Sequence, residues 1–271
     1  MATEVENLNM LIDWFKDHKK PVIVALSGGV DSGVVSLAAK KALGNDVIAV
    51  TANYNTLSND ELISAKNVAK EVGISHRIII YDELANPSFV KNDGMRCYHC
   101  RTELSTHLLD EAHKLGANLI VDGTQTDDLL DVRPGIKALK EYGVRSPLVE
   151  CGLDKKQIRA IALRFGLSVF TRPSNSCLAS RVPVGIPVTY DSLRRIEDSE
   201  ITVKAIFAIS QVRVRDHGDI ARIEVPNEEL DRFFNLAKLR ILEGQIKKHG
   251  FRYVTIDIGG YKSGKLSTPG T

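Results

Sequence analysis

The chain has 271 residues, long enough for one large domain or for one domain and a smaller partner. Its 36 basic and 34 acidic residues leave a formal net charge of +2, which argues against a dedicated nucleic-acid-binding protein with a basic face. No apolar run is long enough to cross a membrane, and the acidic, amphipathic start is unlike a signal peptide, so we expect a cytoplasmic protein without membrane partners.

Apolar segments with strand and helix periodicity alternate along the first two thirds of the sequence. This alternation predicts an α/β fold, in which a parallel sheet is covered by helices on both faces. The predicted strands are 21–26, 47–52, 76–81, 118–123 and a brief one at 146–149. The predicted helices are 4–18, one ending near residue 42, 59–72, 96–114, 136–142 and 155–166.

A segment rich in proline, 171–187, predicts a domain boundary. We therefore expect one domain over residues 1–183 and a small α+β domain for substrate or oligomer contacts over residues 184–271. In the second domain the pattern predicts a helix at 190–206, a hairpin within 212–225, a long helix at 227–249 and a last strand at 253–258.

The first predicted strand ends in Ser27-Gly28-Gly29-Val30-Asp31-Ser32, here called the glycine loop. A buried strand that turns tightly into a helix aims backbone N–H groups at one point, and the helix dipole adds positive charge there. The two glycines let the main chain approach an anion, Ser27 and Ser32 can donate hydroxyls, and Asp31 can cap the helix. An ordinary strand–turn–helix corner would use the same residue types, but the whole string favours a phosphate site.

Three cysteines form the second candidate site. Cys97 and Cys100 are three residues apart near a predicted helix start, so they share a helical face, and Cys177 lies in a later loop. Without an export signal, metal-binding or catalytic thiols are more common than disulfides. Three thiolates can hold a [4Fe–4S] cluster with one iron left open. The alternatives are a redox pair, or a zinc site completed by His99, His107 or His113.

Further polar residues occupy predicted loops and strands. Asp122 and Asp127 follow the fourth strand, where carboxylates can bind Mg²⁺ or nucleotide hydroxyls, or simply cap a turn. Arg133 and Arg181 flank loops with glycine or proline, where a guanidinium suits phosphate or carboxylate.

The predicted hairpin carries a pair of arginines. Arg213 and Arg215 alternate on one strand and so share a face, and Glu224 lies across the hairpin, where it can pair with one of them. Solvated strand charges are the more common explanation of such a pair.

The glycine loop resembles the pyrophosphate loop of the N-type ATP pyrophosphatases, which split ATP into AMP and pyrophosphate. Over nearly the whole chain the motifs together resemble the LarE family, ATP-dependent sulfur transferases of nickel-pincer cofactor biosynthesis. The motifs are SGGVDS at 27–32, DGTQTDD at 122–128, VRPG at 132–135, RSPL at 145–148, SCLASRVPVG at 176–185, VRVR and ARIE within 212–224, and DIGGYKSG at 257–264.

The resemblance implies a reaction, a set of site residues and a homo-oligomer. ATP adenylates a carboxylate of pyridinium-3,5-biscarboxylic acid mononucleotide, and a sulfur nucleophile then displaces AMP to leave a thiocarboxylate. Cys177 matches the family's sulfur-bearing cysteine. By the same match, the ATP phosphates are bound by Ser27, Gly28, Gly29, Asp31 and Ser32, the substrate phosphate lies near Arg213 and Arg215, and a metal, taken as Mg²⁺, lies near Glu200, Glu224 and Asp231.

The chain departs from the best-known members of the family, which have one cysteine and give up its sulfur, leaving dehydroalanine. Cys97 and Cys100 make it similar to three-cysteine members and to cluster-dependent tRNA thiolases, in which a cluster-bound sulfide is the donor. We therefore expect a [4Fe–4S] cluster on Cys97, Cys100 and Cys177, converging beside the glycine loop. Sacrifice of Cys177, a tRNA thiolase, an amide-forming synthetase and a nucleotide- or zinc-binding regulatory module remain as alternatives.

Overall fold

The computed structural model describes residues 3–18, 21–129 and 134–261, so Arg133 and the motif residues after Tyr261 lie outside the described part. The chain divides into two compact units: Met1–Glu83 with Met95–Asn175, and Leu84–Gly94 with Ser176–Thr271. The predicted boundary after residue 183 differs from this division, because the second unit begins at Ser176 and also includes residues 84–94. The buried Asn92 holds that segment there: its side-chain amide donates to the carbonyls of Pro183 and Ile186, each at 2.8 Å.

The first unit contains four strands and seven α-helices among its described residues, in the alternating order that the sequence predicts. They are α1 (Glu4–Asp17), β1 (Val22–Ala25), α2 (Val30–Leu43), β2 (Val47–Asn53), α3 (Asn59–Val72), β3 (Ser75–Ile80), then, after α4 (Pro87–Val90) of the second unit, α5 (Arg96–Leu115), β4 (Leu119–Val121), α6 (Pro134–Glu141), α7 (Pro147–Glu150) and α8 (Lys155–Arg164), with a short 3₁₀ helix at Ser168–Thr171. Among the described residues, no helix is both long and apolar enough to span a bilayer.

The four strands form one parallel sheet in the order β3-β2-β1-β4, with helices on both faces. Because strand side chains alternate, Val24 packs with α2 and α8 on one face while Ile23 packs with α5 on the other. Both positions are fully buried. The predicted α/β class with a doubly covered parallel sheet is confirmed.

The predicted strand at 146–149 is wrong, because these residues begin the one-turn helix α7. Pro147 occupies its first position, where a fixed φ suits a helix and the missing N–H costs no hydrogen bond. Extended pairing is limited to an isolated parallel bridge between Val121 and Arg145. Ser146, the N-cap of α7, therefore follows directly on the residue that is bridged to β4.

The second unit contains α9 (Tyr190–Phe207), the predicted hairpin β5 (Arg213–His217) and β6 (Ile220–Glu224), α10 (Leu236–Lys248) and β7 (Tyr253–Ile256). β5 and β6 are antiparallel, with Arg213 opposite Glu224, and β7 adds in parallel to β6. Val203 and Phe207 of α9 pack with Leu242 of α10 in one core.

The long helix predicted over 227–249 is wrong at its start. Residues Asn227–Phe233 form 3₁₀ turns, and α10 begins only at Leu236. The side chain of Asn235 accepts a hydrogen bond from the backbone N–H of Lys238 at 3.0 Å, which caps a new helix at that point.

We expect Asn235→Ala to lower the free energy of unfolding by about 1 kcal/mol, because the capping oxygen is lost. Asn235→Ser keeps a capping oxygen and is the matched control. Denaturant unfolding of the full chain measures both variants, and equal stability of the alanine and serine variants would contradict the capping role.

Candidate active site

The glycine loop joins β1 to α2 with a backbone that requires glycine at Gly28. Its φ is +80°, and a Cβ there would lie 2.6 Å from the carbonyl oxygen of Glu61 and 2.7 Å from the nitrogen of Ala65. The hydroxyl of Ser64 donates to the carbonyl of Gly28 at 2.7 Å. Helix α3 therefore packs directly on the loop and fixes its conformation.

The two serines of the loop bond to one another across the turn. The Ser32 Oγ accepts from the backbone N–H of Ser27 at 3.2 Å and lies 3.1 Å from the Ser27 Oγ. Gly29 occupies the N-cap of α2 and supplies no capping side chain. The first N–H groups of a 14-residue helix are thus left for a ligand at a terminus of positive potential.

Asp31 has one paired and one unpaired carboxylate oxygen. Its Oδ2 lies 2.5 Å from Nζ of Lys155, whereas its Oδ1 is buried and has no hydrogen-bond partner within the described residues. Burial raises the pKa of Asp31 despite the nearby lysine. An orphaned carboxylate oxygen beside a phosphate cradle fits Mg²⁺, which binds oxygen ligands together with substrate phosphates.

A cleft of about 120 Å³ opens on the glycine loop. Its walls come from Glu61 of α3, Lys155 of α8 and the segment 172–175. Sequence reasoning missed all three. Lys155 and Glu61 lie on helices outside the candidate-site motifs, and the local pattern at Glu61 is that of a capping box with Ser58.

Asp122 lies at the end of β4, and Gly123 places this strand end against the glycine loop: a Cβ on Gly123 would be 2.7 Å from the nitrogen of Ser32. The buried Asp122 carboxylate accepts from the hydroxyl of Ser146 at 2.7 Å and from both the N–H and the hydroxyl of Thr124. These contacts agree with the turn interpretation of Asp122.

Asp127 is linked to the cleft through Lys155, one of the residues that line it. Its Oδ2 accepts from the backbone N–H of Lys155 at 3.3 Å. Metal or nucleotide binding by Asp122 and Asp127 stays a prediction.

Cys97 and Cys100 lie near the start of α5 and take part in no disulfide; the first is exposed and the second half-buried. The start of α6 packs on this turn, because a Cβ on Gly135 would lie 3.3 Å from the carbonyl oxygen of Cys97. Cys177 is a half-buried free thiol of the second unit. Convergence of the three thiols stays a prediction, and no three His, Cys, Asp or Glu side chains of the described residues form a metal-binding group.

Residues 176–181, the Cys177 segment, are held by a buried arginine. Arg181 is fully buried and forms a two-pronged ion pair with Glu200, at 2.8 and 3.1 Å. The same guanidinium donates to the carbonyls of Ser176 and Cys177, the latter at 2.9 Å. Arg181 therefore hydrogen-bonds to the backbone around Cys177 and does not face solvent.

A second arginine holds the other end of the Cys177 segment. Arg215 donates to the carbonyl of Ser180 at 2.8 Å and to a carboxylate oxygen of the fully buried Glu224 at 2.8 and 3.0 Å. The predicted pairing of Glu224 with a hairpin arginine is confirmed.

The remaining predicted site residues of this unit, Arg213 and Asp231, differ in burial. Arg213 is buried with its guanidinium 5.2 Å from the ring centre of Tyr261, and burial lowers its pKa. Asp231 is exposed in the 3₁₀ turns before α10. A metal at Glu200, Glu224 and Asp231 stays a prediction.

Comparison with known proteins adds family information. Residues 17–88 match the asparagine synthase family. The chain is 39% identical to slr1717 of Synechocystis sp., over 98% of both chains. It is 34% identical to the pyridinium-3,5-bisthiocarboxylic acid mononucleotide synthase of Lactiplantibacillus plantarum, over 98% of this chain and 96% of that protein. The tRNA-specific 2-thiouridylase MnmA of Rickettsia peacockii is 25% identical, over 59% of this chain and 53% of its own length.

We expect Gly28→Ala to lower the free energy of unfolding by more than about 2 kcal/mol, because the new Cβ combines a positive φ with a clash against α3. Gly29→Ala is the matched control, since its Cβ would meet only the Ser27 Oγ at 3.7 Å. Denaturant unfolding measures both, and a Gly28→Ala variant as stable as Gly29→Ala would show that the loop does not rest on α3.

We expect Glu200→Gln to cost on the order of 3 kcal/mol of stability, since it leaves the buried Arg181 without a counter-charge. Amide hydrogen exchange over residues 176–181 should quicken at the same time. The control is Asp198→Asn on the same helix, which removes an exposed 3.8 Å pair with Arg194 worth about 0.3–0.5 kcal/mol. Unchanged exchange in the Glu200 variant would contradict the role of the buried pair.

Proposed function

Since the chain belongs to the LarE family of ATP-dependent sulfur transferases, we propose that it converts a carboxylate of pyridinium-3,5-biscarboxylic acid mononucleotide into a thiocarboxylate. The glycine loop carries this proposal: it combines an uncapped helix terminus with an unpaired carboxylate oxygen. A relative whose name gives pyridinium-3,5-bisthiocarboxylic acid mononucleotide as its product aligns along nearly the whole chain.

The first step activates the carboxylate. A substrate carboxylate oxygen attacks the α-phosphorus of ATP, the bond from that phosphorus to the bridging oxygen breaks, and its electron pair leaves on pyrophosphate. The N–H groups at the start of α2 and the hydroxyls of Ser27 and Ser32 would balance the phosphate charge. Asp31 would hold Mg²⁺ through its orphaned oxygen, and the metal would add charge neutralisation at the phosphates.

The second step replaces oxygen by sulfur. A sulfur nucleophile attacks the acyl carbon, the bond from that carbon to the AMP oxygen breaks, and a thiocarboxylate remains. We propose Cys97, Cys100 and Cys177 as ligands of a [4Fe–4S] cluster, whose free iron would carry the sulfide when the cluster is bound. Two exposed or half-buried thiols in one helical turn support this donor set.

The second unit would hold the substrate and present Cys177. The family resemblance puts Arg213 and Arg215 near the substrate phosphate, and the bond from Arg215 to Ser180 supports a link between that phosphate and the Cys177 segment. A metal near Glu200, Glu224 and Asp231, a homo-oligomer and a cytoplasmic location belong to the same proposal.

Thiolation of tRNA is the main alternative. The tRNA-specific relative aligns with only 59% of this chain, and the net charge of +2 gives little support for RNA binding. Anaerobic incubation with ATP, Mg²⁺, sulfide and either the mononucleotide or bulk tRNA separates the two. We expect pyrophosphate release and exchange of oxygen for sulfur, read by mass spectrometry, with the mononucleotide alone. Thiolated tRNA and an unchanged mononucleotide would overturn the proposal.

We expect Cys97→Ala and Cys100→Ala to abolish repeated turnover of sulfur while pyrophosphate release continues, because only the second step needs the cluster. Cys151→Ala is the control: burial raises the pKa of the Cys151 thiol to about 11, which keeps it protonated and inert. Thiocarboxylate yield per enzyme and iron content measure the effect. Full turnover in both variants, or dehydroalanine at position 177 after one turnover, would replace the cluster route with sacrifice of Cys177.

A further inference from the structure

Lys155 is fixed in place by its own backbone. It is the first residue of α8, where Asp154 caps the helix by accepting from the N–H of Gln157 at 2.8 Å. The backbone N–H of Lys155 donates to Asp127 at 3.3 Å. Its long side chain therefore extends from an anchored position toward the glycine loop.

The ammonium of Lys155 is the counter-ion of Asp31. The two groups are 2.5 Å apart, and their side chains are only 27% and 24% exposed. Since the second oxygen of Asp31 has no partner within the described residues, the pair leaves the carboxylate half-satisfied. A divalent cation with its double charge would stabilise that half-buried carboxylate more than one ammonium does.

Lys155 also lines the cleft into which a phosphate would enter. Gly28 and Gly29 also line this cleft, and Arg172 of the segment 172–175 brings a second positive charge to it. Arg172 donates to the carbonyl of Asp60 at 3.1 Å and is thereby held against α3. An anion at the start of α2 would meet a helix terminus, one lysine and one arginine.

We propose that Lys155 changes partner when the metal–nucleotide complex binds, leaving Asp31 to the metal and binding the β- and γ-phosphates of ATP. This inference rests on the proposed function and adds a residue that contacts the leaving group. No proton moves, because the ammonium stays charged throughout. As the electron pair passes to the bridging oxygen, Lys155 stabilises the added charge on pyrophosphate.

The direct test is a calorimetric titration with inorganic pyrophosphate and Mg²⁺. We expect Lys155→Gln to weaken pyrophosphate binding at least about tenfold, the loss of one charge-assisted hydrogen bond, and to leave AMP binding unchanged. Lys156→Gln is the matched control, because it removes the same charge from the exposed next residue of α8. Unchanged pyrophosphate affinity, or equal weakening of AMP and pyrophosphate, would reduce Lys155 to a structural partner of Asp31.

A second variant keeps the proposal testable if Lys155→Gln does not fold. Asp31→Asn removes the carboxylate that holds Lys155, so we expect pyrophosphate binding without metal to tighten and the gain from Mg²⁺ to disappear. Weaker metal-free binding in this variant would contradict the exchange. Neither titration uses the carboxylate substrate, so a wild-type chain that makes no thiocarboxylate would count against the proposed function and not against Lys155.

Discussion

Helix α3 packs on the backbone of Gly28, and the geometry of the phosphate cradle depends on this contact. The carbonyl of Glu61 and the nitrogen of Ala65 occupy the space that any side chain at Gly28 would need. Ser64 bonds the loop from the same helix. The N–H groups at the start of α2 are therefore oriented before a ligand arrives, and a preorganised site stabilises developing charge without reorganising.

Two buried ion pairs hold the Cys177 segment in place, as α3 holds the glycine loop. Arg181 and Arg215 both bond to its backbone carbonyls, and Glu200 and Glu224 balance their charges. Buried ion pairs contribute little net stability, because desolvation offsets the attraction, but removal of one partner is costly. Their effect here is to restrict where the backbone of Cys177 lies.

The sequence was sufficient to predict the sheet class and the glycine loop, because apolar periodicity and turn chemistry are local signals. It failed at Pro147, where a brief apolar run begins a helix, and at Asn235, where a cap divides a helical pattern. Two side-chain environments also could not be predicted from the sequence. Lys155 contacts Asp31 from 124 residues away, and Arg181 is buried although its loop composition is typical of an exposed ligand site.

The central claim is that a carboxylate is activated as an acyl-adenylate at the glycine loop and then attacked by sulfur. A substrate whose carboxylates carry a heavy oxygen isotope tests this claim most directly, with the isotope content of AMP as the readout. The account predicts one labelled oxygen in AMP for each thiocarboxylate formed, because the carboxylate oxygen leaves with the phosphorus it attacked. Unlabelled AMP formed alongside thiocarboxylate would contradict it.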